Sequence, residues 1–146
     1  MTAKEMWLMF RTLNRPDRDK YEAWAFGGDT DGLASLVLEG KKTATASAYD
    51  LYAYDNEELP GPGDYSVVLD SSDNAVCVIR NVSVSVVPFN EVDEGHAARE
   101  GEGDLSLGHW RDVHRDLFSQ WLEEAGMEFS DEIPVVLETF EVVFRP

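Results

Sequence analysis

Residues 60–70 read Pro-Gly-Pro-Gly-Asp-Tyr-Ser-Val-Val-Leu-Asp, a cluster of turn-forming residues followed at once by a β-branched apolar run. Proline and glycine punctuate regular structure whereas valine and tyrosine favour strands, so the pattern predicts a strand over 65–70. The turn residues Ser-Ser-Asp-Asn at 71–74 then predict a hairpin whose second arm covers 75–89. An arm of that length implies a bulge or bend that curves a sheet toward closure.

Apolar spacing in the rest of the chain predicts helices around this hairpin and one more long strand. We expect helices over 2–14, 18–25, 30–39 and 105–126, a loop over 49–58, a loop or short helix over 91–103, and a strand over 133–144. Strands joined by hairpin-like turns favour an α+β fold with a small curved sheet or barrel over a doubly wound parallel sheet. The length of 146 residues predicts a single domain over 1–146, with 1–19 as an N-terminal helical extension.

The charge balance limits which partners the protein can have. The chain holds 29 acidic and 12 basic residues, for a formal net charge of -17. Affinity for nucleic acid backbones comes mainly from Lys and Arg, so we expect no binding to duplex DNA. A small ligand remains compatible, because salt screens distant charges beyond about 8 Å.

Hydropathy and cysteine content indicate where the protein works. No apolar run approaches the ~18 residues of a membrane span, and Met1–Phe10 lacks the pattern of a signal peptide, so we expect no membrane partner and a cytoplasmic location. The single cysteine, Cys77, lies in an apolar run, which predicts a buried structural thiol.

Residues 39–47, Glu-Gly-Lys-Lys-Thr-Ala-Thr-Ala-Ser, place two of the twelve cationic residues beside three hydroxyl side chains. Gly40 follows a helical run and predicts a left-handed cap, and a lysine near a helix C-terminus complements the helix dipole. Capping does not explain the second lysine or the hydroxyls. An amine can activate a hydroxyl or hold an anion, so the segment indicates either a helix end or a reactive site.

Residues 96–104 form a second group of titratable side chains, in which His96 precedes Glu100 by four residues and glycines separate Glu100, Glu102 and Asp104. One of these carboxylates could act as a general base. For Asp104 we favour a different role, as the cap of the next helix within a solvated loop. The spacing matches no calcium loop, and the other two histidines are five residues apart, so we expect no metal and no cofactor. We expect each histidine to be a surface or core-edge residue.

Several short motifs together make this chain resemble the ASCH-domain family, in its small stand-alone bacterial branch. They are Trp-Ala-Phe-Gly at 24–27, residues 36–45, Glu-Gly-Glu-Gly-Asp-Leu-Ser-Leu at 100–107, Trp110-Arg111, His114, and Glu-Thr-Phe-Glu-Val-Val at 138–143. The resemblance spans roughly 20–145. It implies a PUA-like fold, a compact β-barrel with flanking helices, and a link to RNA or modified nucleosides.

The resemblance also implies roles for particular residues. One small bacterial relative removes the acetyl group of N4-acetylcytidine with a Thr, a Lys and a Glu. Carried over, these are Thr45 as nucleophile, Lys42 as its base, and Glu100 as the residue that orients the lysine, with Glu102 as the alternative carboxylate. Ser47 stands where the family usually has an Arg, which removes one anion or carbonyl contact.

Three functions follow as expectations. The first is a small hydrolase acting on an acylated or modified nucleoside. The alternatives are a single-stranded RNA-binding or RNA-cleaving module, with bases stacked on Tyr49, Tyr52 or Trp110, and a ligand-binding domain without catalysis. The predicted substrate-binding residues are Lys41, Ser47, Glu102, Trp110, Arg111 and His114. The expected partner is a small nucleoside-like ligand or a short single-stranded RNA, and a homodimer is left open.

Overall fold

A computed structural model describes residues 1–146 and shows a five-stranded mixed sheet with flanking helices. The strands are β1 (Tyr21–Ala25), β2 (Ala44–Ala48), β3 (Tyr65–Leu69), β4 (Ala75–Pro88) and β5 (Pro134–Phe144). The helices are α1 (Ala3–Asn14), α2 (Thr30–Leu38), α3 (Tyr49–Tyr54), α4 (Glu94–Glu100) and α5 (Leu107–Glu124), with a single 3-10 turn at Phe89–Glu91. The α+β class and the curved sheet are therefore confirmed.

The sheet order is β1-β3-β4-β5-β2, so the first two strands in the chain are the two edges. β1 pairs with β3 in parallel, and the other three pairings are antiparallel. The long arm predicted at 75–89 is β4, which pairs with both β3 and β5. Its register with β5 shifts between Val78 and Ile79 and again between Asn81 and Ser83. Such bulges bend and twist a strand, which supplies the predicted curvature.

Helices cover both faces of the sheet. Successive residues of β3, Val67 and Val68, are fully buried in different apolar clusters, because neighbouring side chains of a strand point to opposite faces. Val67 packs with Trp7 and other α1 residues, whereas Val68 packs with Val37 of α2. A third cluster, which includes Trp110 and Phe118 of α5, lies against the β5 end of the sheet. No helix is both long and apolar enough to cross a bilayer.

Several local predictions hold. The helix predicted over 2–14 is α1, which Thr2 caps in a reciprocal capping box with Glu5. Gly40 adopts the predicted left-handed conformation, with φ of 76°, just after α2. Cys77 is fully buried, and burial raises the pKa of its thiol to about 12.

Other local predictions are wrong. The helix predicted over 18–25 is strand β1, because this short segment pairs with β3, and tertiary pairing overrides weak local preference. The loop predicted over 49–58 contains helix α3, and the hydroxyl-rich segment contains the unpredicted strand β2. Asp104 does not cap α5: Ser106 is the cap, and Asp104 accepts a hydrogen bond from the Ser106 backbone.

Candidate active site

One cleft of about 940 Å³ receives residues from all five strands. Both edge strands line it, which means that the sheet curls until β1 and β2 face each other across the opening. Among its lining residues are Glu22, Trp24, Phe26, Thr45, Ser47, Tyr52, Asp64, Asn81 and Glu138. The cleft therefore lies where the sheet fails to close, and the hydroxyl-rich strand β2 forms one of its walls.

Lys42 enters the protein interior directly beside this wall. The backbone amides of Lys41 and Lys42 donate to the Leu36 carbonyl at the end of α2, and the Thr43 amide donates to Arg99 O of α4 at 2.8 Å. These bonds hold the chain between two helix ends, so the Lys42 side chain turns inward. The whole residue is only 2% exposed, and its ammonium lies 5.2 Å from the ring centre of Phe26, which lines the cleft.

Glu100, the last residue of α4, lies at the centre of a buried polar cluster and is 1% exposed. Its Oε2 accepts a hydrogen bond from Trp110 Nε1 at 2.5 Å and lies 2.7 Å from His96 Nε2. Its Oε1 accepts from Lys42 Nζ at 3.3 Å and lies 3.5 Å from His114 Nε2. Four side chains from three parts of the fold thus surround one carboxylate, as a buried charge requires.

These contacts determine the protonation of Glu100. Burial by itself raises the pKa of this carboxyl, but the contacts with His114 and His96 and the charge of Lys42 outweigh it. The net effect holds the pKa of Glu100 well below its usual range. Glu100 is accordingly a carboxylate near neutral pH, and Lys42 and Glu100 form a buried ion pair.

Glu102 is a second carboxylate for the same lysine. Lys42 Nζ lies 3.5 Å from Glu102 Oε2 and also donates to the Glu100 carbonyl oxygen at 3.4 Å. Ligand atoms of Glu100, Glu102 and His114 all lie within 4.8 Å of one another, a spacing that suits a divalent metal. The Lys42 ammonium lies against both carboxylates, so it already supplies positive charge to this cluster.

The two predicted hydroxyl residues of β2, Thr45 and Ser47, both line the cleft. The Ser47 hydroxyl is 2.6 Å from the hydroxyl of Tyr52 on α3. Burial raises the pKa of Tyr52 to about 12, so its phenol remains protonated near neutral pH. All three hydrogen bonds of the Lys42 ammonium are with residues of the 100–102 segment, and none is with Thr45.

The other predicted ligand-binding residues lie in different places. Lys41 is exposed and pairs with Glu39 at 3.2 Å, whereas Arg111 donates to the Asn90 carbonyl at 3.2 Å. Trp110 and His114 are buried and stacked on each other, with ring centres 4.1 Å apart, so neither presents a free face to a ligand. Of that set, only Ser47 lines the cleft, and Glu102 and His114 border the buried cluster.

Sequence reasoning missed the contacts of four polar residues. His96 and His114, expected at the surface or core edge, are buried against Glu100, because α4 and α5 pack together there. The His96 to Glu100 spacing of four on one helix is a signal that could have found the first of these contacts. Asn81 and Glu138 meet across β4 and β5, where Asn81 Nδ2 donates to Glu138 Oε1 at 2.9 Å. No short-range pattern joins two residues 57 positions apart.

The cleft carries more negative than positive charge. It is lined by the carboxylates of Glu22, Glu57, Glu58, Asp64 and Glu138 and by the cations Arg18 and Lys20. The two cations are already paired, Arg18 with Asp64 at 2.9 Å and Lys20 with Glu58 at 3.6 Å. An anionic ligand would meet repulsion here, whereas a neutral one would not.

Comparison with known proteins gives one family. A family model described as the ASCH domain matches residues 22–144. An ASCH domain structure from Lactobacillus crispatus JV V101 is 34% identical, with a TM-score of 0.88 and coverage of 98% of this chain and 92% of that chain. A structure from Enterococcus faecalis V583 is 31% identical, with a TM-score of 0.87 and coverage of 97% and 87%.

A more distant structure shares the fold alone. An ASCH protein of Zymomonas mobilis, solved as a mutant, is 15% identical, with a TM-score of 0.51 and coverage of 86% of this chain and 70% of that chain. No curated protein sequence matches this chain.

Proposed function

The chain belongs to the ASCH domain family, and on that premise we propose that it is a small hydrolase that cleaves the amide of an acylated or otherwise modified nucleoside, with Thr45 as nucleophile. The observation that carries the proposal is the position of Thr45. Thr45 lines the large cleft, and the buried Lys42–Glu100 ion pair lies next to Phe26, another residue that lines it. A hydroxyl at a ligand cleft beside a fixed charge pair suits nucleophilic catalysis.

The reaction needs two proton transfers. Thr45 Oγ1 attacks the amide carbonyl carbon and loses its proton, and the carbon–nitrogen bond breaks as the leaving amine gains one. Water then hydrolyses the ester on Thr45 and releases the acid. Family resemblance assigns the first transfer to Lys42, a role that requires a neutral amine. Its contacts with two carboxylates support it more as a fixed positive charge beside Phe26.

The charge of the cleft favours a small neutral substrate over RNA. Each phosphate of a single-stranded RNA would approach unpaired carboxylates, such as Glu22 and Glu57, and would find both cleft cations already paired. Of Tyr49, Tyr52 and Trp110, which were predicted to stack on bases, only Tyr52 lines the cleft. A neutral nucleoside avoids this repulsion and can still contact the Trp24 and Tyr52 side chains.

The test is conversion of N4-acetylcytidine to cytidine and acetate, followed by liquid chromatography. We expect turnover by the wild type and a loss of at least about a thousandfold in Thr45→Ala, because no other group replaces the nucleophile. Thr43→Ala is the matched control, since Thr43 lies two residues away, contacts Arg99 O and does not line the cleft. Equal activity of Thr45→Ala and wild type would contradict the nucleophile assignment, and no turnover by the wild type would contradict the substrate.

A further inference from the structure

Glu138 lies directly opposite Thr45 in the β2–β5 ladder. Directly opposed residues of an antiparallel pair project to the same face, with Cβ atoms about 5 Å apart. Both residues line the cleft, so a ligand that reaches the Thr45 hydroxyl also reaches the Glu138 carboxyl. This is the carboxyl that the strand register brings closest to the proposed nucleophile.

The carboxyl of Glu138 is held in place from the neighbouring strand. Asn81 Nδ2 donates to its Oε1 at 2.9 Å, and the β4 register shift next to Asn81 accompanies this diagonal contact. Asn81 is itself fixed, because its backbone amide donates to Asp64 O and its carbonyl accepts from the Gly63 amide. The bond to Asn81 engages one carboxyl oxygen and leaves Oε2 for a second partner.

Lys42 is poorly placed to exchange protons with Thr45. Its ammonium donates to Glu100 Oε1, the Glu100 carbonyl and Glu102 Oε2, which accounts for its three N–H groups. Transfer of a proton from Thr45 to this lysine would require it to lose a proton while it remains beside two carboxylates. A different group must then carry the proton in the reaction proposed above.

We propose that Glu138 is the acid–base residue of this site, and this inference rests on the proposed function. Glu138 Oε2 takes the proton of Thr45 as Oγ1 bonds to the carbonyl carbon. The same proton passes to the nitrogen of the leaving amine as the carbon–nitrogen bond breaks. In the second half, Glu138 takes a proton from the water that attacks the ester and returns it to Thr45 Oγ1 as that oxygen leaves.

The surroundings of Glu138 suit a proton carrier. Burial raises its pKa above the usual value; the Asn81 hydrogen bond lowers it, and the charges of Asp64, Glu22 and Glu100 raise it further. Tyr52 of α3 also interacts with this carboxyl, and its phenol stays protonated near neutral pH. A carboxyl whose pKa moves toward the working pH both accepts and donates protons more readily than an ordinary one.

Two substrates with different leaving groups test the inference. The amine of N4-acetylcytidine must be protonated as it leaves, whereas the nitrophenolate of p-nitrophenyl acetate leaves as an anion. Both substrates need the base that activates Thr45, but only the amide also needs a proton donor for its leaving group. In single-turnover experiments we therefore expect Glu138→Gln to slow acylation of Thr45 by the amide about a hundredfold or more, and to slow acylation by the ester at least tenfold less than that. The variant should also lose the rise of kcat/KM with pH that ionisation of Glu138 produces in the wild type.

Glu141→Gln is the matched control, because Glu141 lies on the same strand but is exposed and does not line the cleft. Glutamine at 138 can still accept from Asn81, so circular dichroism and melting should match the wild type. Equal losses in the acylation rate with both substrates, or an unchanged pH profile, would overturn the inference.

The two proposals fail in different ways. If the wild type cleaves the amide and Glu138→Gln does so equally well, the proposed function stands and the inference is wrong. If the wild type ignores the amide while p-nitrophenyl acetate acylates Thr45 in a Glu138-dependent way, seen by mass spectrometry, the substrate is wrong and the inference stands. If neither substrate reacts with the wild type, both are wrong.

Discussion

Lys42 and Glu100 carry opposite charges at a place from which water is excluded. Each side chain is at most 2% exposed, so each depends on the other for the stabilisation that water would otherwise give. His96, Trp110 and His114 complete the environment of the carboxylate. Such a cluster contributes little net stability compared with an apolar core, but removal of one member leaves an uncompensated charge.

Replacement of Glu100 by glutamine should therefore destabilise the fold by about 3–5 kcal/mol at neutral pH. The pKa of Glu100 is lowered in the folded protein, so its contribution is complete above the usual glutamate value and is lost as pH falls through the folded pKa. The difference between wild type and Glu100→Gln should thus be full at pH 7 and should shrink in strongly acid solution, below about pH 4. Urea unfolding at several pH values measures it.

The control for this change is Glu123→Gln, an exposed position on α5. It should alter the free energy of unfolding by less than about 0.5 kcal/mol. A Glu100→Gln protein as stable as this control would contradict the ion-pair description.

At the scale of elements, the surroundings of Lys42 depend on three chain segments that lie against one another. The end of α2, the 40–43 segment and the end of α4 share backbone hydrogen bonds, and the Thr43 carbonyl accepts from Phe140 of β5 at 2.9 Å. Gly101 follows α4 with φ of 73°, and a side chain there would collide with the Lys41 carbonyl oxygen. The close approach that brings Glu100 and Glu102 around Lys42 therefore needs a residue without Cβ.

Gly101→Ala and Gly126→Ala form a matched pair for this approach. Both glycines have positive φ, 73° and 76°, but a Cβ at Gly126 would have no neighbour within 4 Å. Backbone strain should lower the free energy of unfolding of both variants by about 1 kcal/mol. The clash should lower that of Gly101→Ala by about a further 1–3 kcal/mol. Thermal or urea unfolding compares them, and equal losses would contradict a role for Gly101 in close packing.

At the scale of the molecule, helix α1 is part of the main body of the fold. Met6, Trp7 and Phe10 are buried with Tyr65, Val67 and Val78 of the sheet in one apolar cluster. The Met1 carbonyl also accepts from the Ala75 amide, which ties the chain start to β4. This packing favours the single-domain prediction, with residues 1–19 folded onto the domain that they precede.

Trp7→Ala should consequently destabilise the whole protein, by about 3–5 kcal/mol, because it empties a large buried volume. Far-ultraviolet circular dichroism and the fluorescence of the remaining tryptophans should report one transition at the same lower midpoint. Leu13→Ala, at an exposed position of the same helix, should change little. Two separate transitions, or a fluorescence midpoint equal to that of the wild type, would indicate that residues 1–19 fold independently of the rest.

The hairpin turns and β-branched runs were enough to predict the α+β class, the β3–β4 hairpin, the long last strand and helices α1, α2 and α5. Those signals are local, because capping, turn chemistry and hydrophobic period act within a few residues. Likewise, resemblance in short motifs was enough to name Lys42, Thr45 and Glu100 as candidates. It could not show how these residues contact one another.

Strands β1 and β2 escaped prediction because an edge strand is stabilised by the partner that it pairs with, and that partner is distant in sequence. For the same reason, the Asn81–Glu138 contact and the burial of His96 and His114 depend on strand register and helix packing. The sequence by itself showed two lysines beside three hydroxyl residues in 39–47, because these residues are neighbours in the chain. Only the pairing of β2 with β5 placed Thr45 opposite Glu138, and only the packing of α4 enclosed Lys42 beside Glu100, because long-range contacts set both placements.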